Sequence, residues 1–142
     1  MLASLGQDIS QVAGFSHLLE ERLQPVDTVH AVALTNEGKS GTIAISFGTQ
    51  FKSGLEVEVV TTNGSVYWNP TEVKVNTKDG EKTETFERSS GVKEEMKAFA
   101  AAIERGNTEK NQTPEEALRD LEVIQRLLES GEAKGAVKAV EA

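Results

Sequence analysis

A change of periodicity near Gly91 constrains this chain more than any other feature. From Ile9 to Arg88 apolar and polar residues alternate on a two-residue period, cut by Asn63-Gly64 and Asp79-Gly80. From Gly91 to Ser130 apolar residues recur at helical spacing. Successive side chains of a strand point to opposite faces, whereas those of a helix return to one face after about 3.6 residues. Strands followed by helices predict an α+β fold: an open, mainly antiparallel β-sheet with two C-terminal helices packed on one face. The same order excludes a βαβ dinucleotide-binding unit within these residues.

The spacing predicts strands over Ile9–Leu19, Val26–Thr35, Gly41–Phe51, Leu55–Thr62, Ser65–Asn69, Glu72–Lys78 and Glu81–Arg88. Asn63-Gly64 is expected at the centre of a type I′ hairpin turn, with Asp79-Gly80 making the next hairpin. In the third strand Ile43, Ile45 and Phe47 share one face, and the small residues Thr42, Ala44, Ser46 and Gly48 share the other.

A first helix is predicted over Val92–Arg105, with Val92, Met96, Phe99 and Ile103 on one stripe. Thr113 caps a second helix, with Pro114 at its first position, Glu116 completing a capping box and Gly131 ending it. Its buried stripe is expected to be Ala117, Leu121, Ile124 and Leu128, widened by Leu118 and Leu127. If both stripes cover the bulky side of the sheet, Leu121→Ala or Phe99→Ala costs roughly 2–5 kcal/mol. The tail from Glu132 onward reads as a final strand, a short helix or disorder. Met1–Gly6 reads as the last turn of a helix, or as a frayed terminus.

The chain has 142 residues, which suits one domain spanning the whole of it. Its 15 Lys+Arg against 23 Asp+Glu give a net charge of -8, and no basic stripe offsets it, so nucleic acid is not an expected partner. There are no cysteines, which excludes disulfides and thiolate chemistry and fits a cytoplasmic address. No apolar run approaches the roughly 20 residues of a membrane span.

Three segments carry a resemblance to a known family: Pro25-Val26-Asp27-Thr28-Val29, the run Gly41 to Thr49, and Thr113 to Leu121. Together with the hairpin order they resemble the C-terminal domain of the Gfo/Idh/MocA oxidoreductases, of which the fungal members look closest. The similarity covers roughly residues 9 to 130. The resemblance implies a two-domain enzyme in which a separate Rossmann domain holds NAD or NADP. It also implies a Lys-Pro motif and an Asp/His pair for proton and hydride transfer. This sequence holds no Gly-x-Gly-x-x-Gly, and none of Pro25, Pro70 and Pro114 follows a lysine. Those roles therefore do not carry over, and no cofactor is expected in this chain itself. What the resemblance does imply is an open sheet that walls a substrate pocket and forms a subunit interface.

His17 and His30 are the only histidines, and either is a candidate general acid or base. Each also reads as a hydrogen-bonded or solvent-facing strand residue. Asp27 is the third catalytic candidate, alternatively a turn or interface partner. Two histidines without cysteine or a suitably spaced carboxylate make no metal site. Adjacent Tyr67 and Trp68 point to opposite faces of their strand, so one of them can face a substrate pocket. The small face of the third strand permits close approach of another sheet; a homodimer through that face is expected, the alternative being a face that packs against a further domain. Three readings stay open: a substrate-binding and oligomerisation domain not competent for hydride transfer alone, a cofactor-free isomerase, cyclase or lyase, and a non-catalytic dimerisation partner.

Overall fold

A computed structural model of the protein describes residues 8–108 and 113–141. Eight strands and two helices are present among them: β1 Ile9–His17, β2 Thr28–Thr35, β3 Ser40–Ser46, β4 Val57–Thr61, β5 Gly64–Asn69, β6 Glu72–Thr77, β7 Gly80–Thr85, α1 Val92–Arg105, α2 Pro114–Glu132 and β8 Lys138–Ala139. A single 3-10 turn, Glu21–Leu23, lies between β1 and β2. The expected helix end at Met1–Gly6 lies outside the described residues. The α+β class holds, but the strands form two four-stranded sheets, ordered β3-β2-β1-β8 and β4-β5-β6-β7, with every pairing antiparallel. Contacts divide the chain into two compact units, one comprising the chain up to Gln50 and from Ala102 onward, the other Phe51–Ala101.

The first unit has the hydrophobic core, formed by Ile9, Val12, Ala31, Ala33, Val123 and Leu127, with Val29, Ile43 and Val140 packed against it. Register explains the set. Val12 pairs with Ala33 and Gly14 with Ala31, while Ala31 pairs with Ile43, so these side chains share one face. Helix α2 lies on that face. The residues beneath it are small, and the helix comes close: a Cβ on Gly131 would clash with the Ser16 hydroxyl and lie 2.7 Å from Ser16 Cβ. Gly131 is thus a packing residue within α2, which continues to Glu132, and it does not end the helix as the sequence suggested. The helix begins as expected, with the Thr113 hydroxyl accepting from the Glu116 N–H at 3.2 Å.

The docked face of α2 differs from the predicted stripe. Of the expected residues Leu127 is buried, together with Val123 and Ser130, whereas Ala117, Leu118, Leu121, Ile124 and Leu128 are exposed. The contact is displaced by one residue, hence by about 100° around the helix axis. Ser130 supplies the reason. Its side-chain oxygen accepts from the Gly14 N–H at 2.9 Å, and its hydroxyl donates to the Ala136 carbonyl at 2.7 Å. β8 pairs with β1 only at Gln11 and Val12, so the Gly14 N–H lies beyond its reach and needs another acceptor. The tail left open by the sequence is this short edge strand, with the Val140 N–H donating to Ser10 at 2.9 Å. The Arg119 guanidinium, 3.2 Å from Asp8, joins α2 to the approach to β1.

The second unit is a meander of three hairpins with two-residue turns, and each turn is organised by the side chain preceding it. The Thr61 hydroxyl accepts from the Asn63 N–H, the Asn69 side-chain carbonyl from the Thr71 N–H, and the Thr77 hydroxyl from the Asp79 N–H, at 2.9–3.2 Å. The first turn is therefore Thr62-Asn63, since Gly64 already pairs with Thr61. Asn63 has no positive φ, so the expected type I′ geometry does not occur. Pro70 sits inside the second turn, where its missing N–H costs no ladder bond. No residue from 51 to 101 is fully buried. The α1 stripe of Val92, Met96, Phe99 and Ile103 is exposed, which corrects the expectation that both helices cover a sheet.

Candidate functional site

Alternation along β1, β2 and β3 leaves a second face on the first sheet, opposite α2. On β1 it holds Gln11, Ala13, Phe15 and His17. Across from them on β2 stand Leu34, Val32, His30 and Thr28, and β3 adds Ser40, Thr42, Ala44 and Ser46. None of these twelve positions is Asp, Glu, Lys or Arg, in a chain with 38 such residues (15 + 23). Phe15 is 58% and Val32 55% exposed, and Thr42 and Ala44 are exposed as well. The predicted small, open face is therefore present, with its counterpart Ile43 turned into the core. Ile45 and Phe47, expected under the helices, are exposed at 36% and 78%.

The structure brings both histidines onto this face. Pairing of Phe15 with His30 and of His17 with Thr28 places the two imidazoles on a diagonal. Their ring centroids are 5.9 Å apart and the ring planes are inclined by 62°, an edge-to-face arrangement. Their thirteen-residue separation in sequence conceals this, and only the β1–β2 register reveals it. Among the described residues no group of three or more His, Asp and Glu could hold a metal ion.

Asp27, the third candidate, lies at the head of β2 and is buried. Its carboxylate accepts from the Leu19 N–H at 3.0 Å, the Glu20 N–H at 2.8 Å and the Thr28 hydroxyl at 2.9 Å. Burial is the largest single influence on this carboxyl and raises its pKa. The donors together outweigh burial and hold the pKa below the ordinary aspartate value. Thr28 has one hydroxyl proton, and that proton goes to Asp27. The 2.7 Å contact between Thr28 and Ser46 is therefore a hydrogen bond donated by Ser46. Gly48 closes the cluster, since a Cβ there would clash with the carboxylate and come within 2.7 Å of Asp27 Cγ. That close passage, together with the Phe47 N–H donating to the Asp27 carbonyl at 2.9 Å, shortens the predicted third strand to Ser46. Asp27 thus anchors the β1–β2 turn to β3.

Tyr67 and Trp68 fall on opposite faces of β5, as alternation requires. Trp68 pairs with Val57 and Val73, on a face shared with Val59, Val66 and Val75, and is 37% exposed. Tyr67 faces a shallow polar concavity of about 340 Å³, lined by Glu58, Ser65, Tyr67, Glu72, Lys74, Asn76 and Glu81. Its hydroxyl lies 3.4 Å from both Glu56 and Asn69. Glu56 is paired with Lys52 at 2.7 Å, and that bond lowers the Glu56 pKa and raises that of Lys52. Neither histidine lines this concavity.

No family model matches the chain. Dehydrogenase FPY6 of the fungus Fusarium mangiferae is 40% identical to it over 145 residues, an alignment that covers 99% of this chain and 42% of that protein. Solved structures match more broadly. An oxidoreductase from Agrobacterium radiobacter, determined with NAD+, L-tartaric acid and magnesium, superposes with a TM-score of 0.81 at 11% identity, over 94% of this chain and 44% of that one. A levoglucosan dehydrogenase, determined with NADH and levoglucosan, gives a TM-score of 0.80 at 15% identity over 95% and 46%. The fold is that of a Gfo/Idh/MocA-type oxidoreductase domain. The fit to the C-terminal domain is consistent with the resemblance read from the sequence, and the fungal dehydrogenase makes the chain an oxidoreductase-related one. This chain spans about two-fifths of the length of that dehydrogenase. All strand pairs here are antiparallel, and no described strand runs through a Gly-rich turn into a helix, so the described residues form no βαβ dinucleotide-binding unit. No described helix is long and apolar enough to cross a membrane.

Proposed function

We propose that this chain is a substrate-walling and self-assembly domain of a Gfo/Idh/MocA-type NAD(P)-dependent oxidoreductase. By itself it does not transfer hydride, and it pairs with a second copy through the open face of its first sheet. The observation that carries this reading is the absence of charge from that face. Two copies of a chain with net charge -8 repel over most of their surfaces. They can meet closely where neither presents a carboxylate, and charged residues are depleted from interface centres in general. The small side chains Ala13, Thr42, Ala44 and Ser46 allow sheet-on-sheet approach, and Phe15 and Val32 supply apolar area. On the second sheet, Tyr67 with Lys74, Asn76 and Ser65 suits a small polar ligand, while Trp68 lies on the other side of β5.

The rival reading, acid–base chemistry at His17 and His30 without a cofactor, needs a closed pocket around an imidazole, and both rings lie on an exposed face. Two solution measurements test the proposal. Sedimentation at tens of micromolar is expected to give a dimer, and titration with NADH is expected to give no binding. A monomer throughout, or NADH bound by this chain alone, contradicts it.

A further inference from the structure

The open face holds no permanent charge, but it holds two groups that can acquire one. His17 and His30 are its only titratable side chains, and they are neighbours. Around them stand Phe15 and Thr28 in register, Val32 along β2, and Ala44 and Ser46 on β3, none of which is ionisable in the working range. The charged groups nearest in the chain are Asp27, Glu20, Glu21 and Arg22. Asp27 is turned into the β1–β2 loop with its oxygens occupied by N–H and hydroxyl donors. Glu20 is paired with Arg22 at 3.0 Å, and Glu21 lies in the same 3-10 turn.

We infer that pairing through this face is controlled by proton uptake at His17 and His30. The inference rests on the self-assembly reading above and specifies its regulation. In a face-to-face pair each protomer brings two imidazoles to a surface without a carboxylate partner, four in all. Neutral imidazoles can be buried there, hydrogen-bonded to one another or to Thr and Ser hydroxyls. Imidazolium cations cannot, because burial without a counter-charge disfavours the charged form and the adjacent rings would repel. Burial in the pair therefore depresses imidazole ionisation relative to the free protomer. The pair is strongest where the imidazoles are neutral, above about pH 6.5 for imidazole in water, and weakens as falling pH protonates them.

The test is the dimer dissociation constant of the 142-residue chain, measured by sedimentation at pH 8 and pH 6, with the double variant His17→Gln, His30→Gln alongside. Both values lie above the carboxylate range, so the Asp27 contacts persist, and far-UV circular dichroism checks that the fold does too. The expected result is a constant at least tenfold larger at pH 6 for the natural sequence and a change under twofold for the double variant. A dimer of equal strength at both pH values overturns the inference and leaves the assembly reading intact. An equal weakening of both proteins also overturns it, since some other group must then take up the proton. If the natural sequence is monomeric at pH 8, the assembly reading falls, and the inference falls with it.

Discussion

Asp27 organises one end of the first sheet through a single charge. Its carboxylate gathers the Leu19 and Glu20 N–H groups and the Thr28 hydroxyl, and Gly48 leaves room for it. Because its pKa is lowered in the folded protein, its stabilising contribution is complete above the ordinary aspartate range, about pH 4, and is lost as pH falls through the lower folded value. The shift of the Leu19 and Glu20 amide resonances that accompanies protonation of Asp27 should therefore appear only below about pH 4. Asp27→Asn should abolish that acid shift and lower the melting temperature. At the other end of the sheet, Ser130→Ala strands the Gly14 N–H and the Ala136 carbonyl, and a loss of about 1–3 kcal/mol in denaturant unfolding is expected. Gly131→Ala sets two effects against each other. Alanine favours a helix by about 1 kcal/mol, while the clash with Ser16 costs about 1–3 kcal/mol. The variant should be destabilised, and Ser16→Gly in the same chain should restore it. Sequence alone offered Asp27 as a catalytic candidate or a turn or interface partner. It gave no sign of Ser130 and offered Gly131 only as a helix end, because a serine and a glycine inside a helix acquire meaning only from the strand they touch.

Helix α2 carries apolar residues on more than one side, and this is where pattern reading went astray. Leu118, Leu121, Ile124 and Leu128 outnumber Val123 and Leu127, so counting favours the wrong stripe. Packing is decided by fit to a small-residue groove around Gly14 and Ala31, a property of the partner rather than of the helix. Leu127→Ala should cost about 2–5 kcal/mol, whereas Leu121→Ala and Phe99→Ala should stay within about 0.5 kcal/mol. Equal losses at Leu127 and Leu121 would show the helix docked in the other orientation. Strand positions, the span of α1 and the cap of α2 were legible because alternation and capping are local. The division into two sheets was not, since a strand's sequence does not name its neighbour. In the β4–β7 meander no residue is fully buried, so its amides should exchange with solvent faster than those of β1 and β2. Hydrogen-exchange mass spectrometry of the intact chain reads that difference directly.

For the molecule as a whole, two surfaces of opposite character meet in one sheet. One side is filled by α2, and the other presents three strands without a charged side chain. The small face of β3 was visible in the sequence, but its extension over β1 and β2, and the meeting of His17 with His30, depended on register. The central claim is that this face is where two copies pair. Sedimentation of the natural protein beside Ala44→Arg and Leu121→Arg tests it most directly. Ala44→Arg places a charge on the β3 side of the open face, beside His30, and Leu121→Arg places the same charge on the outer side of α2. The account predicts a dimer for the natural protein and for Leu121→Arg, and a folded monomer for Ala44→Arg. A dimer that survives Ala44→Arg but is lost in Leu121→Arg would contradict it.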